Sequence, residues 1–129
     1  MREMSIGTRW LTADDMPRWD AFVQQHPLGL IYHSSGWKAV LERAFSHIEG
    51  HILAACDSDG EITAGLPLYT VKSWLLGTRV VSIPFAAVCD PLVSSPEQYT
   101  LMLPEVWGLH RRAAAHAIEL RAVRQPHLV

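Results

Sequence analysis

The sequence is short of the charge excess and the long apolar runs that mark several specialised classes of protein. Its 11 Lys and Arg residues are outnumbered by 13 Asp and Glu, so the net charge is -2 and a phosphate-neutralising surface is not expected. No apolar run approaches the roughly 18 residues that cross a bilayer, and Met1–Trp10 lacks the apolar core of a signal peptide. We therefore expect a cytoplasmic protein without a transmembrane segment and without DNA as a partner.

Cysteine is scarce as well. Cys56 and Cys89 lie far apart, and their spacing does not suggest a metal clip. The run from His47 to His51 superficially resembles a zinc-binding helix, but its acid is misplaced and Gly50 disfavours a helix. We expect reduced thiols and no metal site.

What the chain does have is enough apolar sequence for one core. Its 129 residues are 49% hydrophobic and 19% charged, which is typical of a single soluble domain. The densest apolar stretch runs from Glu61 to Leu92. Within it, Ile62–Val71 and Arg79–Ile83 are predicted strands, joined by a turn at Ser73–Gly77. An irregular loop, Phe85–Ser95, follows; loops in this position commonly carry ligand sites in α/β proteins.

Three helices are predicted from cap residues and apolar periodicity. The first begins near Thr12–Asp15 and ends at about Gln25, before His26-Pro27. The second is capped by Ser34 or Ser35 and has an apolar face formed by Trp37, Val40, Leu41, Ala44 and Phe45. The third begins at Ser95-Pro96, with Gln98 in a capping-box position. Pro104 lies inside the third pattern and predicts a kink or two short helices.

The remaining strands complete a mixed sheet. Met4–Leu11 and Ala117–Val123 are predicted strands, and Ile48–Asp57 forms a hairpin with the strand after Ser58–Gly60. The element order is therefore β-α-α-β-β-β-α-β. Because a helical crossover joins the last two strands, these should be parallel, while the middle strands are antiparallel. The predicted fold is α/β (α+β), with helices on both faces of the sheet.

Several segments carry a likeness to one protein family. They are Trp19-Asp20, Tyr32–Lys38 (YHSSGWK), Gly65–Leu68 (GLPL), Leu76–Phe85 (LGTRVVSIPF) and Ile118–Arg121 (IELR). Together with the element order, these segments resemble the N-terminal half of FemAB-type acyltransferases, the tandem members of the GNAT superfamily. The resemblance spans nearly the whole chain.

The resemblance implies a division of labour between two domains. Proteins of this type hold the acceptor mainly in the first GNAT-like domain and join amino acids from aminoacyl-tRNA to the peptide of a cell-wall precursor. Residues 1–129 would then be one GNAT-like domain, the N-terminal half of a tandem protein. We expect a small-molecule or peptide acceptor here, an acyl or aminoacyl donor on a missing C-terminal GNAT domain, and no activity from the first half alone.

One departure from the superfamily bears on the cofactor. Single-domain acetyltransferases bind the coenzyme A pyrophosphate at a glycine-bearing loop before a helix, where free N–H groups and the helix dipole favour anions. The corresponding loop, Ala86–Pro96, contains no glycine and carries Asp90. We therefore expect no cofactor in this domain.

Six candidate substrate-binding residues follow from the resemblance and the predicted groove. They are His33, Trp37, Lys38, Tyr69, Lys72 and Asp90. Each also has a structural interpretation. His33 would be a cap or surface residue, Trp37 a core residue and Lys38 a solvated helix residue. Tyr69 and Lys72 would lie at a solvated strand edge, and Asp90 would form a turn. No residue is identified as a general base or nucleophile, because Cys89 has no histidine at a telling spacing.

A second function remains open. A degenerate or truncated GNAT-like domain would be a non-catalytic module that binds a partner chain through the apolar surface its missing domain would have covered. Such a surface should drive self-association, which distinguishes this module from an acceptor-binding domain.

Overall fold

The computed structural model describes residues 7–73, 75, 77–82, 91–113, 115 and 117–119. The strands are β1 (Gly7–Trp10), β2 (Ile48–Cys56), β3 (Ile62–Ser73), β4 (Gly77–Val81) and β5 (Ala117–Glu119). The helices are α1 (Met16–Gln25), α2 (Ser35–Ala44) and α3 (Pro96–Arg112), with 3-10 turns at Ala13–Asp15 and Ile31–His33. This is the predicted element order.

The five strands form one sheet in the order β1-β2-β3-β4-β5. The first four are antiparallel neighbours, whereas β5 pairs parallel to β4, as a helical crossover requires. Gly60 and Gly77 both have φ of 83° in the two hairpin turns, a conformation that disfavours other residues. Beyond the end of β4, Leu92 pairs with Gly65 of β3 through two backbone hydrogen bonds.

The sheet buries both of its faces. On one face, α3 packs through Met102, Val106 and Leu109 against the middle strands. On the other face, α1 contributes Trp19 and Val23, and α2 contributes Leu41. Since burying each large apolar side chain stabilises the fold by about 1.5–3 kcal/mol, the two-sided core accounts for the near-continuous apolar sequence of β3.

The predicted cap residues of α2 and α3 are confirmed. The Ser34 hydroxyl accepts from the Trp37 N–H at 3.1 Å, and the Ser95 hydroxyl accepts from the Gln98 N–H at 3.4 Å. The Gln98 side chain reaches back as expected but accepts from the N–H of Ser94, one residue before the cap. These contacts satisfy N–H groups that have no partner within a helix.

One detail of the helix predictions is wrong, and one of the two outcomes predicted for Pro104 does not occur. Val40 is 55% exposed, because α2 buries a narrower stripe than its sequence pattern suggests. Pro104 does not divide α3 into two helices, since Met102 and Val106 on either side of it are both buried against the sheet. The irregular loop around Phe85, with Cys89, and the predicted strand residues after Glu119 lie outside the described residues.

Candidate functional site

A buried hydrogen bond and a partly buried pair of hydrogen bonds hold α1 against the start of α2. The Trp19 indole N–H donates to the carbonyl oxygen of His33 at 2.7 Å, and Trp19 is fully buried. The Asp20 carboxylate accepts from the N–H of Ser35 at 2.8 Å and from its hydroxyl. Because a carboxylate at a helix N-terminus is favoured by the helix dipole, Asp20 fixes where α2 begins relative to α1.

An ion pair covers the edge of the sheet where β1 stops. Beyond Trp10, β1 no longer pairs with β2, so the N–H of Gly50 faces an open edge. That N–H donates to Glu42 Oε2 at 2.8 Å, while Lys38 Nζ lies 3.0 Å from Glu42 Oε1. The Glu42 carboxylate therefore occupies the edge and holds the Lys38 ammonium beside it.

Gly50 allows the lysine to take this path. A Cβ at position 50 would stand 2.7 Å from Lys38 Cγ and 2.9 Å from Tyr69 Cε2. The aliphatic stem of Lys38 therefore crosses directly over the strand at Gly50, beside the buried Tyr69 ring. This arrangement lets a half-buried lysine keep its ammonium group in polar surroundings.

Lys38 lines a cavity of about 360 Å³, called here the Lys38 cavity. It lies between the end of β1 and the beginnings of α1 and α2. Its lining residues are Trp10, Leu11, Thr12, Ala13, Met16, Ser35, Lys38, Ala39, Gly50, His51 and Ile52. Apolar walls with a few polar groups are the usual composition of a small-molecule site.

A second cavity of about 560 Å³, the Lys72 cleft, opens on the α3 face of the sheet. Its lining residues are Trp10, Glu49, His51, Thr70, Lys72, Leu109, Arg112 and Ala113. The strands place their polar residues there because cross-strand neighbours share a face: Glu49 is opposite Thr70, and His51 is opposite Leu68.

Trp10 and His51 line both cavities. Their rings meet edge to face, with centroids 6.0 Å apart, and the Arg112 guanidinium carbon lies 5.7 Å from the centre of the Trp10 ring. His51 Nε2 is 3.4 Å from Thr70 Oγ1 and 3.5 Å from Glu49 Oε1. Burial lowers the pKa of His51, and this outweighs the opposing effect of the Glu49 carboxylate. The imidazole is therefore neutral at neutral pH.

Of the six residues predicted from the sequence, the five that the structure describes do not line one cavity. Lys38 lines the Lys38 cavity and Lys72 lines the Lys72 cleft. His33, Trp37 and Tyr69 line neither: His33 is fully buried, and its Nδ1 accepts from the N–H of Leu30 at 2.9 Å.

Trp37 packs edge to face against Tyr32, with ring centroids 5.0 Å apart. Tyr69 is 1% exposed and belongs to the same core cluster. Asp90 lies outside the described residues. Contact of these residues with an acceptor stays a prediction.

Among the cavity residues that the sequence analysis missed are Trp10, His51 and Arg112. Only His51 left a signal, as a polar residue in an otherwise apolar strand, and it was considered there only as a metal ligand. Trp10 and Arg112 come together with it from opposite ends of the chain, and no local pattern predicts that contact.

Within the residues that the structure describes, no group of three or more His, Cys, Asp or Glu side chains is placed to hold a metal ion. Cys56 is a buried free thiol. None of the described helices combines the length and hydrophobicity needed to cross a lipid bilayer.

The fold is shared with solved acyltransferase structures. FemX matches 85% of this chain with a TM-score of 0.67 and 20% identity, and the chain spans 26% of the length of FemX. An acetyltransferase of Trypanosoma brucei matches 93% of the chain with a TM-score of 0.61 and 14% identity, and 84% of that protein is covered.

A ribosomal-protein-alanine N-acetyltransferase of Brucella melitensis matches 95% of the chain with a TM-score of 0.61 and 13% identity, and 83% of it is covered. No protein-family model and no curated protein matches the sequence. The predicted α/β class with helices on both faces is confirmed. The chain has a GNAT-like fold, which it shares with FemX and with the two acetyltransferases.

Proposed function

We propose that this chain is the acceptor-binding domain of an N-acyltransferase and that the Lys38 cavity holds an anionic part of the acceptor. The observation that carries this proposal is that Lys38, whose Nζ lies 3.0 Å from Glu42 Oε1, lines a cavity within a domain of GNAT-like fold. The cavity volume of about 360 Å³ suits part of a small molecule or a short peptide segment.

The Lys38–Glu42 pair supports exchange with a ligand anion. Both side chains are partly exposed, at 26% and 31%, so their pairing contributes little to stability. Glu42 is also held by the N–H of Gly50. An acceptor carboxylate or phosphate can therefore take Lys38 as its partner while Glu42 keeps its own hydrogen bond.

The share of each similar protein that this chain covers leaves two candidate locations for the donor site: in another domain, or in this one. The chain spans 26% of FemX, which agrees with an acceptor domain whose donor binds elsewhere. It spans 84% and 83% of the two acetyltransferases, which favours a second candidate: a single-domain acetyltransferase that binds acetyl-CoA itself. The glycine-free sequence Ala86–Pro96 argues against the second candidate.

Thermal unfolding with two ligands distinguishes these candidates. A muramyl-peptide nucleotide precursor is the acceptor that the FemAB resemblance suggests, and acetyl-CoA is the donor of the second candidate. A ligand at about a hundred times its Kd stabilises the native state by about 2.7 kcal/mol, which raises Tm by several degrees. We expect the precursor to raise Tm and acetyl-CoA to leave it unchanged.

Lys38→Met should abolish most of the Tm shift with the precursor. Arg43→Gln is the matched control, because it removes a positive charge from the exposed side of the same helix. If both variants lose the Tm shift equally, the shift depends only on net charge, and the proposed site at Lys38 is contradicted. A shift with acetyl-CoA would favour the single-domain acetyltransferase instead.

A further inference from the structure

The Lys72 cleft carries two cations that are not neutralised locally. Neither Lys72 nor Arg112 forms an ion pair with any residue in the described ranges. The acid among the lining residues is Glu49, whose side chain is 68% exposed and therefore solvated. The cleft thus combines two permanent positive charges with one screened carboxylate.

Hydrogen-bonding groups lie in the same cleft. Thr70 is 3% exposed, and its hydroxyl lies 3.4 Å from His51 Nε2 and 3.3 Å from the carbonyl oxygen of Glu49. The Thr70 hydroxyl donates to the Glu49 carbonyl oxygen but can rotate away from it, and a neutral imidazole has two tautomers, so both groups can turn a donor toward a ligand in the cleft.

Arg112 is held in place by the aromatic ring beneath it. Its guanidinium carbon lies 5.7 Å from the centre of the Trp10 ring, a cation-π distance. The planar fork of a guanidinium matches the oxygens of a phosphate or a carboxylate. The Arg112 side chain therefore loses less conformational entropy when a ligand binds.

We propose that the Lys72 cleft is an oxyanion-binding site, in which Lys72 and Arg112 hold a phosphate or carboxylate group of a small molecule. His51 and Thr70 supply hydrogen bonds to the same group. The site lies on the α3 face, whereas the Lys38 cavity lies on the face of α1 and α2, with Trp10 and His51 between them. The inference goes beyond the proposed acceptor site and does not depend on acyl transfer.

His51 gives a direct signal of occupancy. The charged groups around it are Lys72 on β3, Glu49 on β2, Lys38 and Glu42 on α2, and Arg112 on α3. Burial lowers its pKa, and the nearby Lys38 and Arg112 add to that effect. A bound anion adds negative charge next to the imidazole, so binding must raise the pKa of His51.

The test is an NMR titration of the 129-residue chain with inorganic phosphate, compared with acetate and with chloride at equal ionic strength. The ring signals of His51 are assigned with His51→Asn. We expect phosphate to raise the pKa of His51 and chloride to leave it unchanged. A response to acetate as well as phosphate indicates a site for either oxyanion, and a response to phosphate alone indicates a phosphate site.

Three variants locate the site. Lys72→Gln and Arg112→Gln should each weaken phosphate binding about tenfold, because each removes a charge-assisted hydrogen bond. Arg111→Gln is the matched control, since Arg111 is the exposed neighbour of Arg112 and does not line the cleft. If Arg112→Gln impairs folding, Lys72→Gln carries the test alone, because Lys72 is an exposed strand residue.

Three results would overturn the inference: equal weakening by Arg111→Gln, an equal effect of chloride, or a His51 pKa that phosphate does not move. Because His51 lines both cavities, its pKa alone does not separate them; Lys72→Gln and Arg112→Gln assign phosphate binding to the Lys72 cleft, whereas Lys38→Met tests the Lys38 cavity. Failure of the muramyl-peptide nucleotide to bind at Lys38 would leave phosphate binding at the Lys72 cleft unaffected.

Discussion

The Trp19 indole lies so close to Gly65 that a Cβ at position 65 would stand 2.2 Å from indole Cζ3. The same indole donates its N–H to the carbonyl oxygen of His33 at 2.7 Å. One fully buried side chain therefore links the middle of β3, the helix α1 and the turn before α2. These contacts position the α2 residues of the Lys38 cavity.

Gly65→Ala should destabilise the fold by about 1–3 kcal/mol, the usual effect of overpacking a core. The added methyl group cannot fit while Trp19 keeps its place, since the Leu53 carbonyl oxygen also stands 3.1 Å from the new Cβ. Urea unfolding measures the loss. Gly7→Ala is the control, because a Cβ at Gly7 meets nothing within 4 Å, and it should change stability by less than about 0.5 kcal/mol. Equal effects of the two changes would contradict the packing described here.

Trp19→Phe should lower the free energy of unfolding more than Trp37→Phe does. Both changes shrink an indole to a phenyl ring, but only the first leaves the buried His33 carbonyl without the indole N–H, at a cost of about 1–3 kcal/mol. The Trp37 indole N–H is buried and has no hydrogen-bond partner among the described residues. The difference between the two free energies of unfolding tests the buried hydrogen bond, and similar losses would count against it.

Stability should fall in acid because of Asp15. Arg9 donates two hydrogen bonds to the Asp15 carboxylate, at 2.9 and 3.0 Å, and the Thr12 N–H adds a third at 2.8 Å. These contacts hold the pKa of Asp15 well below its ordinary value of 3.8. A lowered native pKa means that the contribution is complete above 3.8 and is lost as the pH falls below it.

The measurement is the urea midpoint, followed from neutral pH into the range below 3.8. Asp15→Asn should be less stable at neutral pH and should lose less stability on acidification than the parent. Asp14→Asn, at the exposed neighbouring position, should behave like the parent. Parallel acid profiles for the parent and Asp15→Asn would show that other groups cause the acid sensitivity.

Glu42→Gln should change ligand binding in the direction opposite to Lys38→Met. The amide oxygen of the new glutamine can still accept from the N–H of Gly50. The negative charge of Glu42, which competes with a ligand anion for Lys38, is lost. An exposed ion pair of this kind contributes about 0.5–1 kcal/mol, so an anionic ligand at Lys38 should bind about two- to fivefold more tightly. Calorimetric titration measures the change, and weaker binding in Glu42→Gln would argue against direct contact of the ligand with Lys38.

Much of the fold could be predicted because local chemistry decides it. Residue type and position alone predict Ser95 as the cap of α3 and Ser34 or Ser35 as the cap of α2, and freedom at positive φ predicts Gly60 as a turn residue. The exposure of Val40 and the continuity of α3 through Pro104 could not be predicted in this way. Both depend on which stripe of a helix the sheet covers, and tertiary packing outweighs the one hydrogen bond that a proline removes.

The candidate site was less predictable than the fold. The sequence pointed to Lys38 and Lys72 but placed them together with His33, Trp37 and Tyr69, which line neither cavity. Local sequence could not show that β1 ends early enough to expose the N–H of Gly50, or that Glu42 would bind there.

By itself, the sequence determined the order of the helices and strands, their caps and their turns. These depend on apolar periodicity and on the conformational preferences of single residues. Only the tertiary structure decided that Trp10, His51 and Arg112 meet and that the two lysines face separate cavities. The physical reason is that strand register and helix packing bring together residues distant in the chain, and each such contact depends on the whole core.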